Sequence, residues 1–174
     1  MAEQVPREPL MSVDSVLPIL DRIAIFGGLT ESQLGKVFQR LRPVSYGANQ
    51  VVFEEGEAAS YIYIVQEGAV KLVFDVYGEA HLKAVLTPGN CFGETSLIGI
   101  QPHSVTAITR EPTELLVLSG DALNELLQED KELFSMLVLN IARESCRRLF
   151  KTNEQLRNCL SLCPSSVADG ILAY

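Results

Sequence analysis

Phe92-Gly93-Glu94-Thr95-Ser96-Leu97, with its sequel Pro102-His103-Ser104-Val105-Thr106-Ala107, is the stretch around which the chain is organised. It reads as a glycine turn that follows a strand and opens a short helix. A helix N-terminus exposes unpaired N–H groups and the positive end of the helix dipole. That makes an anion seat, and a glycine lets an anion approach the backbone closely. Glu94 suits the dipole in the first turn and can accept hydrogen bonds from sugar hydroxyls. Taken alone, Phe92-Gly93-Glu94 reads as no more than a helix start. The rest of the chain changes that balance.

The chain has 174 residues, 47% of them hydrophobic, which fits one ordinary domain with a real core and room for a helical appendage. Its net charge is −8 and its isoelectric point about 4.8. An acidic chain is a poor binder of nucleic acid through its overall field, because that binding uses Lys and Arg to neutralise phosphates. Arg143, Arg147 and Arg148 lie close together, but Glu144 among them makes this a solvated helix face. No run approaches the roughly 18 apolar residues of a membrane span, and no secretory signal precedes the domain, so a cytoplasmic location is expected. Cys91, Cys146, Cys159 and Cys163 are few and irregularly placed, which points to reduced, structural thiols. His81 and His103 are the only histidines and neither belongs to a ligand-spaced motif. No metal site, cofactor or enzymatic activity is therefore expected.

Residues 1–13 read as a loose tail, and residues 14–43 as N-terminal helices. Val16, Leu17, Leu20, Ile23 and Ile25 recur at helical spacings, and Phe26-Gly27-Gly28-Leu29 breaks the pattern. Thr30 and Gln33 form a capping-box pair for a helix with Leu34, Val37, Phe38 and Leu41 on its buried face. Pro43 is expected to stop it. Glycines at 47, 56, 68, 78 and 89 then punctuate short runs rich in β-branched and aromatic residues. Their separations of 9, 12, 10 and 11 residues are those of an all-β sandwich or barrel. The strands are Val51–Phe53, Tyr61–Val65, Ala69–Val76, His81–Leu86, Ser104–Ile108 and Glu114–Leu118, with a hairpin tip at Asp75–Glu79. Ser119-Gly120-Asp121 caps a helix lined by Leu123, Leu126 and Leu127. A longer helix follows Asp130, with Leu133, Phe134, Leu137, Val138 and Ile141 on one side, and runs towards Leu160.

Residues from about 20 to 150 resemble the cyclic nucleotide-binding domain shared by catabolite-activator-type regulators, cyclic-nucleotide-dependent kinases and gated channels. The resemblance rests on Phe26, Gly47, Phe53-Glu54-Glu55-Gly56-Glu57, Tyr63-Ile64-Val65, Glu67-Gly68-Ala69-Val70, Pro88-Gly89-Asn90, Phe92-Gly93-Glu94 and the strand after Pro102. It implies a mainly β fold, an antiparallel jelly roll flanked by N-terminal helices and a C-terminal helical segment, with the nucleotide inside the roll. The roll would span 44–119, with a phosphate-binding cassette at 92–107. C-terminal helices would follow at 120–163 and a tail at 164–174, so that 14–150 forms one nucleotide-binding domain.

The resemblance also implies the site: Phe92, Gly93, Glu94, Thr95 and Ser96 around the cyclic phosphate, Glu94 on the ribose 2′-hydroxyl, and His103 and Ser104 from the sequel. The family carries arginine where this chain has His103. Arginine is always charged and forks onto phosphate oxygens, whereas histidine is mostly neutral near pH 7 and offers one donor per ring nitrogen. A weakened or altered phosphate site is expected, with binding favoured at mildly acidic pH. The implied ligand is cAMP or cGMP, the implied role a stand-alone regulatory sensor that signals through its C-terminal helices to a protein partner. A homodimer through those helices is a further expectation. The 24 residues after Phe150 are fewer than the roughly 50 of a typical domain, so the DNA-binding domain of the transcription factors is not expected within them; the expectation is a sensor module that acts by itself or a fragment of something longer. The competing expectation is a degenerate scaffold of the same fold that binds no nucleotide and acts through protein contacts.

Overall fold

The structure, a computed structural model, describes residues 17–162. The tails expected at 1–13 and 164–174, the helical onset at 14–16 and Cys163 lie outside the described residues. Eight strands form the roll: β1 Arg42–Tyr46, β2 Val51–Phe53, β3 Tyr61–Glu67, β4 Val70–Val76, β5 Glu79–Leu86, β6 Cys91–Phe92, β7 Thr106–Thr109 and β8 Thr113–Ser119. The helices are α1 Glu31–Phe38, α2 Glu94–Gly99, α3 Gly120–Glu129 and α4 Lys131–Leu162. One sheet has the order β1-β8-β3-β6 and the other β2-β7-β4-β5, and every pairing is antiparallel. The jelly-roll fold with flanking helices is the one the resemblance implied.

The two sheets differ in what covers them, and the sequence carries the difference. The first is buried on both faces along its central strands, β3 and β8. Tyr63, Val65, Leu115 and Val117 turn inward and meet Val52, Phe53, Val70, Leu72 and Ala107 of the second sheet, filling the roll. Ile62, Ile64, Leu116 and Leu118 turn outward onto Val37, Phe38 and Leu41 near α1, Leu123 and Leu126 of α3, and Leu133, Leu137 and Ile141 of α4. Hence β3 and β8 are continuous apolar runs, as strands covered twice must be. Each such side chain contributes about 1.5–3 kcal/mol on burial. The outer face of the second sheet meets solvent, so β4 alternates along its length until both faces are exposed at its tip.

One local expectation is refined and one corrected. The helical segment before Gly27 takes the 3-10 form, at Leu17–Arg22 and Ala24–Phe26, closed by bonds such as Phe26 N–H to Ile23 O at 2.9 Å. Apolar spacings of three and four are shared by the two helix types over so short a run. Pro43 does not end α1. The helix stops at Phe38, its last turn tightening through Arg40 N–H to Val37 O, and Pro43 lies inside β1 opposite Leu116. β1 is an edge strand, where a residue without an N–H is tolerated. The caps of α1 and α3 are as read. Thr30 and Gln33 form the reciprocal capping box, and Ser119 Oγ accepts from Ala122 N–H.

The compact unit that contains both cores runs to Ile141, and the residues from Ala142 form a second unit. The second unit is helical to Leu162, with Leu149, Phe150 and Leu156 exposed. Among the described residues, no helix is long and apolar enough to cross a membrane.

Candidate functional site

The site is built where β6 turns into α2. Register puts Phe92 directly opposite Tyr63 of β3. Gly93 follows in the left-handed region, at φ +81° and ψ −17°. A Cβ there would lie 2.8 Å from Tyr61 O and 3.2 Å from the Tyr63 ring. Only glycine combines this backbone conformation with so close an approach of two chain segments. The first intrahelical bond of α2 is Leu97 N–H to Gly93 O, at 3.1 Å. The N–H groups of Glu94, Thr95 and Ser96 precede it, and Gly93 brings no side-chain cap. N–H groups left open at a helix start are the geometry an anion seat requires.

Around it the predicted residues fall into two groups. Phe92, Glu94 and Ser96 are buried, the Glu94 carboxylate being only 1% exposed; Thr95 and Ser104 are exposed. His103 is buried at 3% exposure. Its backbone is pinned to the turn between β2 and β3, its N–H donating to Glu57 O and its carbonyl accepting from Gly56 N–H, both at 2.8 Å. Its ring stacks on Phe53, with centroids 3.6 Å apart and planes 8° from parallel. Burial pushes the imidazole below its ordinary pKa, with the Glu57 carboxylate opposing in part, so the ring is neutral near pH 7 in this state. Thr106 Oγ1 accepts from Glu55 N–H at 3.0 Å and so serves the strand contact.

Two interior rings complete the site and were not among the predicted site residues. Phe53 lies between His103 and the others, 5.7 Å from Tyr63 and 5.9 Å from Phe92. Tyr63 stacks on Phe92 at 5.0 Å. Both occur in the motifs that carry the resemblance, but as apolar strand residues; only the strand register shows that they back the cassette. Tyr63 Oη and His103 Nε2 are buried without a hydrogen-bond partner among the described residues.

A cavity of about 380 Å³ lies elsewhere, lined by residues including Arg40, Arg42, Tyr61, Asp121 and Glu125, and none of the predicted site residues lines it. Arg40 is already paired there, with Glu125 at 3.2 Å and Glu129 at 2.6 Å. Among the described residues, no three His, Cys, Asp or Glu side chains are grouped to hold a metal ion.

Comparison with known proteins places these features in a family. The profile described as "Cyclic nucleotide-binding domain" matches residues 43–130, which takes in β2 to β8, nearly all of β1, and the cassette. A CRP-like cAMP-activated global transcriptional regulator of Mycobacterium tuberculosis is 30% identical over 156 residues, 88% of this chain and 68% of that protein. The Thermus thermophilus Catabolite Activator Protein superposes with a TM-score of 0.70 at 27% identity, over 79% of this chain and 63% of its own. A cyclic nucleotide-binding domain from Methylobacillus flagellatus shares the fold at a TM-score of 0.76 and 21% identity, over 91% of this chain and 86% of its own. By the extent of the profile match and by the likeness to these regulators, the chain belongs to the cyclic nucleotide-binding domain family.

Proposed function

We propose that this chain binds a cyclic nucleotide, cAMP or cGMP, inside the roll and acts as a regulatory sensor rather than an enzyme. The observation that carries the reading is the Glu94 carboxylate, buried at the N-terminus of α2 behind a left-handed Gly93. A left-handed glycine without a side-chain cap leaves the first N–H groups of α2 open to an anion, and Glu94 stands in that first turn. The N–H groups of Glu94, Thr95 and Ser96 would hold the cyclic phosphate, with His103 and Ser104 in the place of the family's arginine and its neighbour. β3 then links the site to the helices, because Tyr63 faces the roll while Ile62 and Ile64 face α1, α3 and the start of α4. Ligand would favour one docking of those helices over another, and a protein partner, a second copy included, would read the difference.

The pH dependence has a definite sign. Without ligand, burial holds the His103 pKa below 6.5. A bound phosphate anion raises it, so binding takes up a proton. Affinity therefore increases as pH falls through the bound-state pKa towards the free-state value, and is flat above. Calorimetric titration with cAMP and cGMP at pH 7.5 and 6.0 is expected to show tighter binding at pH 6.0. His103→Arg is expected to bind tighter still and to lose the pH dependence.

A second reading has its own observation. The His103 ring already fills interior space against Phe53, as it would in a scaffold that takes no nucleotide. No binding up to millimolar cAMP or cGMP at either pH would establish that reading and end the first.

A further inference from the structure

The Tyr63 ring is fully buried and packed by aromatic neighbours, Phe92 stacked at 5.0 Å and Phe53 at 5.7 Å. Tyr61 meets it edge-on at 6.1 Å, and these ring contacts would be made equally by a ring without a hydroxyl. The hydroxyl that is present has no hydrogen-bond partner among the described residues. Buried polar groups are nearly always bonded, and an exception calls for an explanation. Its position supplies one. The ring lies beneath the start of α2, where a Cβ on Gly93 would come within 3.2 Å of Tyr63 Cδ2 and 3.6 Å of Cε2. These atoms form the ring edge leading to the hydroxyl-bearing carbon. A second buried atom without a partner, His103 Nε2, belongs to the same cluster of rings and packs on Phe53.

We propose that the Tyr63 hydroxyl is a ligand contact of the roll and donates a hydrogen bond to a phosphate oxygen of the bound nucleotide. The inference rests on the nucleotide-binding reading above and adds a residue to it. With histidine where the family has arginine, the phosphate would meet two donors, the phenol and the imidazole, in place of one guanidinium. A phenol is a good donor for this purpose, since it is held rigid by its ring and stays protonated far above neutral pH.

Tyr63→Phe removes the hydroxyl and keeps the ring stack. Calorimetry of wild type and variant with cAMP and cGMP at pH 6.0, together with thermal unfolding of the unliganded proteins, tests the proposal. The expected result is at least a tenfold loss of affinity, with the unliganded melting temperature unchanged or higher because an unbonded buried group has been removed. Equal affinity in the two proteins overturns this inference and leaves the nucleotide-binding reading intact. A lower unliganded melting temperature with unchanged affinity assigns the hydroxyl to the core and also overturns it. Absence of binding by wild type overturns both. Site-specific 3-fluorotyrosine at position 63 is the second variant. It makes the phenol more acidic and a stronger donor with the ring retained, and tighter nucleotide binding is the supporting result.

Discussion

Two residues in the left-handed region bracket α2, and they have unequal claims to it. Gly93 belongs there, because no side chain fits between Tyr61 O and the Tyr63 ring. Ile100, at φ 52° and ψ 50°, is β-branched and 93% exposed. A β-branched side chain in this region is strained, and the exposed side chain recovers little by burial. Ile100→Asn is therefore expected to stabilise the protein by about 1 kcal/mol, since asparagine tolerates this conformation. A urea unfolding curve checks it; a lower midpoint would mean that the isoleucine methyls have packing that their exposure does not reveal. Gly93 was legible because a glycine before an acidic helix start has a mechanism. Ile100 was not, since nothing local tells an exposed isoleucine from a core one. His103 was legible as a position but not as a buried ring, because its stacking partner Phe53 lies fifty residues away and meets it through strand pairing.

Among the elements, legibility followed periodicity. β3 and β8 announced themselves as apolar runs, and the β4–β5 hairpin by its Tyr77-Gly78 turn. β1 did not, because Arg42-Pro43-Val44-Ser45-Tyr46 buries only Val44 and carries a proline that reads as a stop. β6, only two residues long, was legible as the strand before the Gly93 turn but not in its bounds. The least legible feature is how the 3-10 turns are held. Asn140 on α4 is 6% exposed, and its Nδ2 donates to Gly27 O at 2.7 Å and Ile25 O at 3.2 Å. An asparagine within a helical run reads as a solvent position, and only tertiary packing turns it into a clamp. Asn140→Ala leaves these carbonyls without their amide, so a loss of about 1–3 kcal/mol is expected in chemical unfolding. A change within about 0.5 kcal/mol, the size of an ordinary surface effect, would mean that other groups satisfy the carbonyls.

The first sheet is a wall shared by two cores, and this sets the stability of the compact unit that ends at Ile141. β3 and β8 have neighbours on both edges and apolar packing on both faces, so their amides can exchange only when the roll and the helical cluster open together. β5 is the contrast. It is an edge strand of the second sheet, paired to β4 alone, with Leu82 and Val85 among its exposed side chains. Hydrogen exchange is therefore expected to be slowest at Ile62–Val65 and Leu115–Leu118 and much faster along Glu79–Val85. Equal protection of β3 and β5 would refute the shared-wall account. Nucleotide should add a local signature to this gradient. The amides of Glu94, Thr95 and Ser96 have no carbonyl four residues back within α2 to bond, so saturating cyclic nucleotide should slow their exchange more than any others in the helix. Protection that instead rises uniformly over the roll, with these three unmoved, would mean that the ligand stabilises the fold from somewhere other than the start of α2.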